Sequence, residues 1–146
     1  MARERSLRPS FDVNWRPTLL GAAALLAVLL PGLLRLEIRR EVYLGGLLAG
    51  LVAGGLTDRY GNAMSNGLFA GALGGAAACV VLFAYGSYAS WRLGFGFDSV
   101  FAAQYGFRAI ALFVLAVPIH AVEGALAALL ANGLRVRLLD RFASGG

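Results

Sequence analysis

Residues 60–91 read YGNAMSNGLFAGALGGAAACVVLFAYGSYASW, thirty-two in a row without a charged side chain. An uncharged apolar run longer than about 18 residues is a candidate bilayer-crossing helix. Asn62, Ser65 and Asn66 are residue types that cap helix N-termini, so the run predicts a helix that starts near residues 63–67 and spans 64–88.

The flanking sequence repeats this pattern. Upstream, Asp58 and Arg59 close a second uncharged run, residues 42–57, whose 16 residues are marginal against the roughly 17–25 usual for a crossing. Before it, the charged connection RLEIRRE (residues 35–41) follows an 18-residue uncharged stretch, residues 17–34. That stretch is about 27 Å long as a helix, just enough to span. Pro17 suits a first turn, where its missing N–H would have no partner. The arginines ahead of it resemble a signal-peptide n-region, but no small-residue cleavage site follows, so it reads as a retained anchor. Downstream of residue 91, Asp98 or Ser99 can start another helix, and Gly106 can bend it. From 109 to 134 the only charge is Glu123, giving a span at 108–132 that ends at Asn132 and Gly133.

The expected fold is therefore all-α, a polytopic transmembrane helical bundle of four spans (17–34, 42–57, 64–88 and 108–132). Three spans, or a re-entrant hairpin, is the alternative. Residues 1–146 form one membrane domain, with an arginine-rich arm over 1–16 and a tail over 135–146. Composition agrees: 59% of the chain is hydrophobic and 14% charged, where a soluble domain carries about 25% charge. Mean hydropathy is +0.71. This excludes a disordered chain, and one cysteine excludes a disulfide framework.

Every basic residue is arginine, and the net charge is +5. The arginines flank apolar segments instead of lining one helix face, so the expected partners are membrane lipids and not nucleic acid. The N-terminal arm, the connection after the second span and the tail hold eight arginines, against five in the other two connections. The positive-inside rule then puts both termini in the cytoplasm of a multi-pass cell-membrane protein. Tyrosines and tryptophans fall at the span ends, from Trp15 and Tyr43 to Trp91 and Tyr105, as headgroup-level rings should.

Helix association in lipid depends on close backbone approach and hydrogen bonds. Gly46, Gly50 and Gly54 in the second span, and Gly67, Gly71 and Gly75 in the third, recur every four residues. Residues four apart drift by only about 40° around a helix, so each set makes a groove along one face. Because both grooves flank one short connection, an antiparallel hairpin with groove against groove is expected. Such grooves serve intramolecular packing, or else contact with a homo-oligomer or a membrane-protein partner. Residues 47–50 and 68–71 share the pattern Leu-x-Ala-Gly, a weak sign of duplication.

The Pro31 helix followed by Gly45-Gly46, Ala49-Gly50, Gly54-Gly55, a polar turn, and Gly67, Gly71, Gly74 and Gly75 resembles small glycine-rich integral membrane proteins of halophilic archaea, grouped under a domain of unknown function. The likeness covers residues 18–88, about half of the chain. It implies a compact multi-span bundle and brings no activity with it.

Two residues could carry chemistry. Glu123 is the acid inside the fourth span, and His120, the only histidine, precedes it by three residues on one helix face. An ionisable group in a span is costly and marks a functional site by default. The corresponding depth of the other spans offers only residues such as Leu25, Ala49, Gly50 and Cys79, so no partner within the chain is expected. Pro118 leaves the carbonyl of Val114 free. His120 and Glu123 either bond between helices or form a proton or ion site in a small transporter or channel subunit. Cys79 reads as a packing residue. Ser87 and Ser90 lack a base, no Cys/His cluster suits a metal, and no phosphate loop or dinucleotide fingerprint occurs, so neither an enzyme nor a cofactor is expected. The leading expectation is a structural or interaction component of the membrane.

Overall fold

The computed structural model describes residues 12–34, 41–94 and 105–144. The expectations for the arm before residue 12, for most of the RLEIRRE connection and for capping by Asp98 or Ser99 lie outside the described residues. The described residues form four helices and no strand: α1 (Trp15–Leu34), α2 (Glu41–Gly55), α3 (Tyr60–Arg92) and α4 (Tyr105–Ser144). Two of them, over Gly61–Arg92 and Phe113–Leu139, are long and apolar enough to cross a membrane. The apolar parts of α1 and α2, Trp15–Pro31 and Leu44–Gly55, are shorter.

Local chemistry sets several helix ends. Pro17 sits in the first turn of α1, where Thr18 bonds back to the Asn14 carbonyl through both N–H and hydroxyl. α2 tightens as it ends, with the Thr57 N–H donating to the Gly54 carbonyl at 3.2 Å. α3 stops at Leu93, followed by Gly94 with φ +77°, a left-handed conformation that needs no Cβ penalty only in glycine.

Two boundaries differ from the sequence reading. α3 begins at Tyr60, so Asn62, Ser65 and Asn66 lie inside it and do not cap it. Asn66 is instead fully buried and bonds to two other parts of the chain. α4 passes through Asn132 and Gly133 without a left-handed residue and continues to Ser144. Its polar stop residue is engaged elsewhere, because the Asn132 side chain donates to the carbonyls of Gly54 in α2 and of Thr57 just beyond it.

The helices pack as a diamond. α2 and α3 touch along the short diagonal, each contacts both α1 and α4, and α1 and α4 do not meet among the described residues. The glycine hairpin expectation is corrected by this arrangement: the two grooves do not face each other. Both face α4, which runs parallel to α2 and antiparallel to α3. A Cβ on Gly50 or on Gly67 would strike the Gly124 carbonyl, and one on Gly124 would strike the Gly67 carbonyl. One on Gly54 would run into the Ala128 backbone, and one on Gly71 into the His120 carbonyl. Gly75 is looser, 3.3 Å from the His120 ring. A second row of small residues on each central helix receives α1. Gly21 sits against Ala49, Ala53 and Ala70, and the fully buried Leu25 fills the space left by Gly45 and Gly74.

Where the neighbour is backbone, an added methyl cannot be absorbed by a rotamer change. Gly50→Ala, Gly67→Ala and Gly124→Ala should each destabilise the fold by about 1–3 kcal/mol, the usual cost of overpacking. A Cβ at Gly133 meets nothing within 4 Å. Gly133→Ala should be neutral or stabilising by up to about 1 kcal/mol, from helix propensity alone. Unfolding in micelles, followed by circular dichroism, measures both.

Candidate functional site

α4 carries His120 and Glu123 into the seam it makes with α2. His120 is 2% exposed, while the Glu123 side chain retains 24% exposure at the edge of the seam. The Gly46 N–H lies 3.2 Å from His120 Nδ1, and Glu123 Oε2 lies 3.4 Å from the same nitrogen. The expectation that this pair has no intrachain partner is therefore corrected: the partner is a backbone amide, invisible to a search for complementary side chains. Gly46 itself is required by the approach. A Cβ there would lie 2.6 Å from Glu123 Oε2 and 2.7 Å from both Cα and O of His120. The imidazole packs on toward α3, its Cδ2 alongside Gly75.

Of the residues singled out in the sequence, Gly46, Gly50 and Gly54 thus join Gly67, Gly71 and Gly75 around one stripe of α4, His120, Gly124 and Ala128. His120 and Glu123 come together as their i, i+3 spacing implies. Cys79 is buried. Among the described residues, no three His, Cys, Asp or Glu side chains gather where a metal ion could be held.

A second polar centre was not anticipated. It closes the end of the bundle where α1 and α3 start and α2 ends. Asn66 accepts the Asn14 N–H at 2.8 Å and donates to the Thr57 hydroxyl at 2.8 Å, and that hydroxyl donates to the Ala53 carbonyl at 2.6 Å. From α4, the Asn132 amide donates to the carbonyls of Gly54 and Thr57. Arg135 Nη1 donates to Gly55 and Thr57 at 3.2 and 3.1 Å, and its Nη2 pairs with Asp58 at 3.1 Å. These bonds satisfy the carbonyls that every helix C-terminus leaves open, and they bring positive charge to the negative end of the α2 dipole. Their sequence signal is the recurrence of polar residues at the ends of the apolar runs, a pattern that boundary markers and a buried network share.

Comparison of the chain with family models, with curated proteins and with solved structures gives no match.

The clasp at the end of α2 makes a quantitative expectation. Asn132→Leu removes the amide that donates to the Gly54 and Thr57 carbonyls; each keeps its other donor, the Thr57 N–H and Arg135 Nη1, so the cost is that of two lost hydrogen bonds, about 1–3 kcal/mol together. Unfolding should move to lower denaturant by that amount, whereas Leu130→Ala on the exposed face of α4 should change stability far less.

Proposed function

We propose that the chain is a multi-pass protein of the cell membrane, crossing four times with both termini in the cytoplasm, and that it acts as a structural or interaction component built on small-residue packing. One observation carries this reading: the molecule is apolar on the outside and small or polar on the inside. Its fully buried positions include Ala49, Ala53, Ala63, Ala70, Thr18 and Asn66, while Leu20, Val80, Val114, Val122, Leu126 and Leu130 are all more than half exposed. A water-soluble monomer rarely shows a contiguous apolar surface beyond a few hundred Å². Hydrocarbon accepts such a surface without cost, and packing through Gly and Ala is what helices in lipid rely on.

Charge placement supports the same frame. The Arg135–Asp58 pair and the Asn14–Asn66 bond put Arg16, Arg59 and Arg135 at one end of the bundle. Arg108 and Arg135 bracket the apolar part of α4, with Glu123 as the sole charge between them. α2, at 15 residues and about 22 Å, falls short of a hydrocarbon core of about 30 Å. Local thinning or snorkelling of its flanking charges accommodates such a mismatch at modest cost. Lipids are the partners of the outer surface in this reading. A second copy or another membrane protein would meet the leucine-rich face of α4, the side turned away from α2 and α3.

The second reading, a small transporter or channel subunit with a proton or ion site at His120 and Glu123, needs water at mid-seam. A 2% exposed ring held by the Gly46 amide favours packing over transport.

Membrane extraction and cysteine accessibility test the placement. The protein should stay with the membrane in alkaline carbonate. In a Cys79→Ala background, Arg59→Cys and Phe142→Cys should label from the cytoplasmic side and Trp91→Cys from the other. Recovery of the chain in the soluble fraction, or labelling of positions 59 and 91 from the same side, overturns the proposal.

A further inference from the structure

α4 exchanges the chemistry of its faces where it leaves the bundle. Each residue turns about 100° around a helix, so Val122, Leu126 and Leu130 point about 120–160° away from the Gly124 direction, outward from α2 and α3. All three are more than half exposed. Beyond Arg135, whose guanidinium holds the end of α2, the helix continues to Ser144 and the order reverses. Phe142 follows Gly124 by eighteen residues, or five turns, and returns to the same direction. Leu138 and Leu139 lie within about 60° of it, and Arg137 about 140° away. The apolar face of residues 136–144 is therefore the continuation of the inward stripe of α4. It overhangs the end of the bundle where α1 and α3 start, and it is open: Leu138, Leu139 and Phe142 are 53%, 57% and 80% exposed.

We propose that residues 1–11 cover this face, packing Leu7 and Phe11 against Leu138, Leu139 and Phe142, and so strap the start of α1 to the end of α4. A face that overhangs its own bundle is turned away from the surrounding lipid and from a copy alongside in the same membrane. Its cover rises from the bundle's own end. That step rests on the four-span placement proposed above. Of the segments outside the described residues, 35–40 and 95–104 join helices at the opposite end, and 145–146 are both glycine, which leaves 1–11.

The arm enters beside the face it is to cover. Three hydrogen bonds in series, from Asn14 to Asn66, from Asn66 to Thr57 and from Arg135 to Thr57, link the start of α1 to the root of the α4 extension. Helices on the long diagonal of a diamond packed at about 8–10 Å are about 15 Å apart, and eleven residues reach up to about 36 Å. Besides Met1, Leu7 and Phe11 are the large apolar residues of the arm. Seating them on the extension removes apolar surface of both segments from water. It also joins α1 to α4, the two helices that do not meet within the bundle.

Paired cysteines test the contact, in a Cys79→Ala background and in liposomes of zwitterionic lipid. Leu7→Cys with Leu138→Cys should oxidise to a disulfide within one chain. Leu7→Cys with Arg137→Cys, one residue away on the opposite face, should not. A spin label at Leu139→Cys should be immobilised, and Leu7→Asp together with Phe11→Asp should abolish the immobilised component. Disulfides that join two copies, equal yields at 137 and 138, or no disulfide overturn the proposal. So does a label that only anionic lipid immobilises, which would make the membrane surface the cover, or one that stays immobilised in the double variant. Should that variant fail to assemble, the cysteine pairs decide alone. Labelling of positions 59 and 91 from one side, with the 7–138 disulfide formed, would overturn the four-span placement and leave the strap standing.

Discussion

Three helix backbones meet at Gly124. Its carbonyl lies where side chains at Gly50 and Gly67 would have to be, and its own missing side chain is what admits the Gly67 carbonyl. With α2 and α3 each pressed onto α4 at this level, the register of the remaining contacts follows at intervals of four residues. His120 lies opposite Gly46 and Gly71 one turn to one side, and Ala128 opposite Gly54 one turn to the other. The position of the His120–Glu123 pair is therefore a consequence of the glycine node. The imidazole reaches the Gly46 amide only because the two backbones are already in contact.

A bundle held this way needs few large core side chains. Leu25 is the largest fully buried one, and it sits where Gly45 and Gly74 leave room. Each central helix carries two adjacent small-residue rows. In both Leu-x-Ala-Gly segments, the alanine (Ala49, Ala70) turns toward α1 and the glycine (Gly50, Gly71) toward α4. The same short pattern thus solves the same packing problem twice, on helices of opposite direction. Weak directional contacts in the middle are complemented by stronger ones at one end, where Asn66, Asn132 and Arg135 tie α3, α4 and the start of α1 to the end of α2. Asn132 Oδ1 is the one buried side-chain acceptor among the described residues left without a donor.

Much of the architecture was legible because uncharged run length and the charges between runs report directly on helix number. Residues 60–91, with no charge to interrupt them, became one helix, as did 17–34. Helix ends were less legible. Asn62, Asn66, Asn132 and Gly133 have the composition of caps, yet tertiary hydrogen bonds recruited Asn66 and Asn132 into the interior, and local propensity cannot anticipate that. The four-residue glycine spacing falls on faces where helix backbones come close, but it carries no information on the partner. Short connection length suggested the adjacent helix, whereas Gly124 and Ala128 supplied the matching surface on α4. The His120–Glu123 pair was legible from its spacing. Its anchor was not, since any residue except proline could have provided a backbone N–H, and only glycine lets it come so near.

In a membrane bundle of this kind, one face of α4 turns toward the other helices and the opposite face toward hydrocarbon. Spin labels placed singly along residues 119–134 in lipid bilayers, in a Cys79→Ala background, report this through collisions with oxygen and with a water-soluble nickel complex. Oxygen accessibility should peak at Val122, Leu126 and Leu130 and fall at Ala125, Ala127 and Ala128, with nickel accessibility low throughout. High nickel accessibility across the segment, or an oxygen profile that peaks on the alanine face, would contradict it.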